Sequence, residues 1–196
     1  MSSTRRKGFP EGTGAWCAGG ILCAALLGMR DAGAAEGAPV ADGAVKMAIV
    51  YNLGKFVDWP ANAFPSATAP FTLCVLGSPN RIQDGLDAIE SKAVHGRGLK
   101  VRLVKGPGEF AGCQILFLAD ADSRRLEDHL AAAHSQGVLT VSDMDHFTDD
   151  GGAVALLLMD NRVRFAINLN ATQAANLRIS SELLRLAQRV VGAQKP

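Results

Sequence analysis

The segment Phe71-Thr72-Leu73-Cys74-Val75-Leu76-Gly77-Ser78-Pro79 decides the fold class. Its first six residues are apolar except for Thr72 and show no alternation, the pattern of a strand buried on both faces. Gly77 closes the run, and Ser78-Pro79 reads as the N-cap and first residue of a helix reaching Glu90. Two similar runs follow, Ile115-Leu116-Phe117-Leu118 and Val138-Leu139-Thr140-Val141, with a helical stretch from Ser123 to His134 between them. The turn His95-Gly96-Arg97-Gly98 introduces a half-buried strand in which Leu99, Val101 and Leu103 alternate with Lys100 and Arg102. Strands and helices alternating at these lengths require crossover connections and a parallel sheet covered on both faces.

The flanking sequence completes the plan. Upstream, Val45, Ala48, Ile49, Asn52, Phe56 and Trp59 recur at three and four residues, widened by Met47, Val50, Leu53 and Val57. The period predicts a helix that stops at Trp59, because Pro60 cannot continue it. Downstream, 153–159 and 163–169 read as strands joined by Asp160-Asn161-Arg162, a hairpin connection. Asn170, with Gln173 three residues on, reads as the cap of a short helix; Ser180 or Ser181 starts a last helix over 182–191, striped by Leu183, Leu184, Leu186, Ala187 and Val190. The expectation is a single three-layer α/β/α domain with a mostly parallel mixed sheet and a C-terminal antiparallel hairpin.

Residues 1–34 stand outside this plan. Arg5, Arg6 and Lys7 precede an apolar stretch over 15–29, and Ala32-Gly33-Ala34 supplies the small residues of a cleavage site. This reads as a secretory signal peptide cleaved after Ala34, leaving 35–196 as the mature domain. Gly19, Gly20 and Gly28 interrupt the stretch, which is short for a membrane span. Of 20 basic and 19 acidic residues the segment takes four and two, so the mature chain carries 16 against 17. That balance lacks the basic excess a nucleic-acid binder uses against phosphate. A hydrophobic content of 48% likewise excludes low-complexity disorder.

The chemistry is sparse. Gly-x-Ser-x-Gly, Gly-x-x-x-x-Gly-Lys and His-Glu-x-x-His are absent, so neither catalytic residues nor a cofactor are expected. Removing Cys17 and Cys23 with the leader leaves Cys74 and Cys113, which in an oxidising compartment form one disulfide or else stay as two buried thiols. His95 reads as a solvated turn residue, and His129 and His134, five apart on one helix, share no ligand-like face. His146 lies among Asp143, Asp145, Asp149 and Asp150, but the spacing fits no calcium loop, so no metal site is expected. Arg162, Arg164 and Arg178 form the candidate partner- or anion-binding set; Arg164 alternates with Val163 and Phe165 and points away from the core. The competing reading is a charged edge strand that resists aggregation.

Taken in order along the mature chain, several short motifs resemble those of the YfiR family of bacterial periplasmic proteins. They are Tyr51-Asn52, Lys55-Phe56-Val57 and Trp59-Pro60, then Cys74-Val75-Leu76-Gly77 and Gly112-Cys113 before Ile115. Leu139-Thr140-Val141-Ser142-Asp143, Phe147 with Gly151-Gly152, Arg164-Phe165 with Ile167-Asn168-Leu169, and Leu177-Arg178-Ile179-Ser180-Ser181 follow. The resemblance implies a non-enzymatic periplasmic repressor that binds the periplasmic domain of a membrane diguanylate cyclase and lowers cyclic di-GMP signalling and biofilm formation. It also implies an outer-membrane lipoprotein as second partner, a homodimer, a Cys74–Cys113 disulfide, and Phe147 near the partner surface or folded back onto the core. A second family disulfide has no counterpart, and Ala166 stands where many relatives carry glutamate. The alternative reading of the residues is a periplasmic small-ligand sensor or binding module without a cyclase partner.

Overall fold

The computed structural model describes residues 42–119 and 123–192; the signal-peptide reading of 1–34 lies outside them. In chain order the elements are α1 (Asp42–Phe56), β1 (Val57–Asp58), β2 (Phe71–Leu76), α2 (Gln83–Glu90), β3 (Ala93–Val94), β4 (Arg97–Val104) and β5 (Ile115–Leu118). After these come α3 (Leu126–Ser135), β6 (Leu139–Ser142), β7 (Val154–Met159), β8 (Arg162–Asn168), α4 (Leu169–Ala174), β9 (Arg178–Ile179), α5 (Ser181–Leu186) and β10 (Arg189–Val191).

One eight-stranded sheet runs in the order β10-β8-β7-β6-β5-β2-β4-β3. Strands β4, β2, β5, β6 and β7 are mutually parallel, β8 returns antiparallel to β7, and β10 lies parallel to β8. The expected mixed sheet and terminal hairpin are therefore both present. Central strands β2, β5 and β6 are buried at every position, as their uninterrupted apolar runs require. One face packs against α1, α2, α4 and α5 through Met47, Leu86, Phe71, Ile115, Ala171 and Leu183. The other packs against α3, with Leu126, Leu130 and Ala133 over Cys74, Leu116 and Phe147.

Helices α1 and α2 cross closely because Gly43 and Gly85 meet at the crossing. A methyl on Gly43 would overlap the Arg81 carbonyl, and one on Gly85 would lie 2.6 Å from the Gly43 carbonyl oxygen.

Several local expectations are corrected. The buried face of α1 is Gly43, Met47, Val50, Leu53 and Gly54, whereas Ala48 and Asn52 are exposed. The helix ends at Phe56, not Trp59: Val57 and Asp58 pair antiparallel with Ile179 and Arg178, and this tertiary pairing outcompetes the last helical turn. Helix α2 starts at Gln83 rather than at Pro79 behind a Ser78 cap, because a turn closed by Ile82 N to the Pro79 carbonyl (2.8 Å) first drops Ile82 into the core. Leu103 shares the face of Leu99 and Val101 but lies beyond both core clusters, 58% exposed.

At the C-terminus, the cap of α4 is Asn168, whose side chain accepts from Asn170 N and Ala171 N at 3.0 and 3.3 Å. The expected last helix is only Ser181–Leu186, capped by Ser180. Residues 189–191 instead pair with Ala166, Ile167 and Asn168. Pairing there gives the edge of β8 backbone partners that a continued helix would not supply.

Candidate functional site

One concave feature grows from the loop between β6 and β7. Ser142 anchors its start, donating to the Leu118 carbonyl at 2.8 Å and accepting from Met144 N at 3.2 Å. His146 takes a left-handed conformation (φ 58°), and its carbonyl accepts from Asp149 N and Asp150 N at 2.8 and 2.9 Å. Gly152 N then bonds the Phe147 carbonyl at 2.8 Å, closing the loop on itself. Asn168 Nδ2 reaches the Thr148 carbonyl at 2.9 Å and ties the loop to β8.

Beside this loop lies an open depression of about 440 Å³. Its floor is Ala155, Leu157 and Ala166 from the hairpin, and its rim carries His146, Asp149 and Arg189. Arg189 donates to Thr148 Oγ1 at 3.0 Å and Asp149 Oδ1 at 2.6 Å, so β10 is latched to the loop by a charge-assisted bond. His146 is 81% exposed, and its Nδ1 stands 3.8 Å from Asp149 Oδ2. Asp143 is occupied elsewhere, accepting from Lys46 at 2.7 Å. Among the described residues no three histidine, cysteine or acidic side chains gather as a metal set. Asp143 is thus committed to Lys46 and Asp149 to Arg189, two ties that hold the shape of the loop.

The sequence-derived site residues fall in four places. Cys74 and Cys113 are disulfide-bonded, with Cα atoms 5.8 Å apart. Phe147 takes the core alternative: it is fully buried, and Gly152 is held against its ring so closely that a methyl there would overlap it. Arg162 and Arg164 are brought together, exposed on one face of β8. Arg178 is separate from them in the fold, on β9 of the two-stranded sheet, where it lines a depression of about 540 Å³ with Asp58, Trp59 and Gln173.

Two arginines escaped the sequence reading. Arg189 falls inside the helix expected over 182–191, although the β-branched pair Val190-Val191 beside it signals a strand. Arg102, read as a residue of the wet face of β4, is the cross-strand neighbour of Cys74. Its Nη2 donates to the carbonyls of Glu109 (2.9 Å) and Ala111 (2.7 Å) and lies 3.1 Å from Cys113 Sγ and 3.5 Å from Cys74 Sγ. Cross-strand position alone carries no sign of that clamp until the 107–113 turn is folded over it.

Compared with known proteins, residues 43–188 match the family model DUF4154, described as YfiR/HmsC-like. Among solved structures, a conserved domain protein from Vibrio cholerae O1 biovar El Tor shows 11% identity and a TM-score of 0.43, covering 61% of this chain and 54% of that one. The ABC domain in complex with L-Trp from Streptococcus pneumonia shows 10% identity and a TM-score of 0.44, covering 62% and 55%. The chain thus spans about half the length of each of these structures.

Proposed function

The chain belongs to the YfiR/HmsC-like family, whose members regulate diguanylate cyclase signalling from the periplasm, and on that premise we propose that this protein is a secreted, non-catalytic repressor. It binds the periplasmic domain of an inner-membrane diguanylate cyclase and holds cyclic di-GMP synthesis low, limiting biofilm formation. The observation that carries the reading is the family match across residues 43–188, nearly the whole of the described chain. The Cys74–Cys113 disulfide supports an oxidising compartment. No helix among the described residues is long and apolar enough to cross a membrane. In this reading residues 1–34 direct export and are removed, the mature chain pairs as a homodimer, and an outer-membrane lipoprotein competes for it.

Deletion of the gene, with cellular cyclic di-GMP measured beside capture of the cyclase periplasmic domain by the purified mature chain, tests the proposal. Raised cyclic di-GMP and specific capture are expected. Unchanged cyclic di-GMP together with no capture would refute repression. N-terminal sequencing of the periplasmic protein checks cleavage after Ala34, and light scattering checks the dimer.

A further inference from the structure

The end of the β7–β8 hairpin projects beyond the sheet that supports its base. Strand β6 pairs with β7 only at Val154 and Ala155, and β10 pairs with β8 only over Ala166–Asn168. From Leu157 to Arg164 the two strands pair only with each other among the described residues, with Met159 opposite Arg162 and Leu158 opposite Val163. The Gln188 N bond to the Phe165 carbonyl, 2.8 Å, marks where cover of the β8 edge ends. Past that point the edge over Arg162, Val163 and Arg164 lacks a neighbouring strand among the described residues, the arrangement that accepts an added strand.

The side chains on this edge specify what it accepts. Arg162 and Arg164 project on one face, both exposed, and neither makes a side-chain hydrogen bond or ion pair among the described residues. The hairpin holds a single acid, Asp160 at its turn. Apolar surface accompanies the charge: Leu158 is 65% exposed on one face and Met159 41% on the other. Arginines serving only to repel neighbouring strands would not stand beside uncovered leucine and methionine, since that surface invites association. A second copy of this chain is a poor occupant, because antiparallel pairing of β8 with itself would set these arginines against their own counterparts.

We propose that the free edge of β8 at Arg162–Arg164 is a docking site for an extended, acidic segment of the partner protein, which adds as a strand in line with β10. Backbone hydrogen bonds at Val163 hold the added strand, carboxylates at alternate positions meet Arg162 and Arg164 on one face, and the intervening apolar side chains lie on the other face with Val163 and Leu158. The identity of the partner as a cyclase domain rests on the proposed function; the edge and its charge preference do not.

Two probes test it on the mature chain. A short peptide alternating valine and glutamate, titrated while backbone amides are followed by NMR, is expected to shift Val163 and Phe165 saturably. Added salt should weaken it, and its valine–lysine counterpart should not bind. The double variant Arg162→Glu/Arg164→Glu, altered only at exposed positions, should keep its melting temperature and bind the acidic peptide about tenfold more weakly. No saturable shift, equal binding of the lysine peptide, or shifts confined to other elements would overturn the site. In the second arm the cyclase periplasmic domain replaces the peptide. Equal capture by wild type and double variant overturns the edge while leaving repression standing. Failure of wild type to capture the domain counts against repression instead, and the peptide titration then decides the edge.

Discussion

Lys46 Nζ donates to Asp143 Oδ2 at 2.7 Å across 97 positions of sequence, with the two side chains only 13% and 21% exposed. Asp42, one turn earlier on α1, pairs with the same ammonium. The contact fastens α1 to the end of β6, where the loop that shapes the candidate site departs.

This pair gives a signed pH prediction. Burial draws the Lys46 pKa down, but the hydrogen bonds and charges of Asp143 and Asp42 together outweigh it, so the group sits above the usual lysine value of 10.5. The stabilisation is complete below that value and is lost as pH rises through the higher folded one. Lys46→Met should cost about 2 kcal/mol near neutrality, because Asp143 loses its charged donor. Denaturant melts of both proteins should show the wild-type advantage shrinking only in strongly alkaline buffer. A constant advantage across that range would mean the ion pair does not account for the loss.

His134 on α3 predicts the opposite slope. Its Nε2 is buried without a hydrogen-bond partner among the described residues, and burial holds the imidazole below the usual 6.5. The unfolded chain therefore takes up a proton that the folded one resists, so stability is full above 6.5 and falls as pH drops below it. His134→Leu should flatten this limb of the stability profile. An unchanged acid limb in the variant would assign the loss to other groups.

The disulfide and Arg102 are expected to act as one unit. Removing the bridge with Cys74→Ala/Cys113→Ala frees a closure spanning 39 positions and should cost about 4 kcal/mol in the chain-entropy account. Arg102→Met strips the donor from the Glu109 and Ala111 carbonyls, a loss of about 1–3 kcal/mol. Because the guanidinium touches both sulfurs, the two changes should be non-additive by more than about 0.5 kcal/mol in a double-mutant cycle. Strict additivity would show that the turn and the bridge are held independently.

What could be read from sequence follows where local pattern and tertiary environment agree. Phe71–Leu76 and Ile115–Leu118 are apolar at almost every position because both faces are covered, so their strands and the parallel core were legible. The hairpin turn was legible too, since Asp160 and Asn161 both tolerate the left-handed conformations they adopt (φ 49° and 57°). Two of the failures are tertiary overrides. Val57-Asp58 and 189–191 become strands because distant segments offer them backbone partners, a fact absent from their own periodicity. Likewise, sequence could pair Arg162 with Arg164 on one face, but the bare edge beside them appears only once β10 is seen to stop at Ala166.

Phe147 separates a packing role from a contact role, and Gly152 supplies the test. The ring is fully buried, and a Cβ on Gly152 would overlap it. Gly152→Ala should therefore cost about 2 kcal/mol through overpacking, while Phe147→Ala should cost about 3–5 kcal/mol through the cavity it leaves. Combined, the two should cost less than their sum, because the smaller side chain makes room for the new methyl. Phe147→Leu adds the functional comparison: a buried ring predicts a lowered melting temperature with cyclase-domain capture preserved wherever the protein remains folded. Lost capture in a variant of unchanged stability would instead mean that the ring leaves the core to meet its partner, which would make the 143–152 loop a moving element rather than a fixed wall.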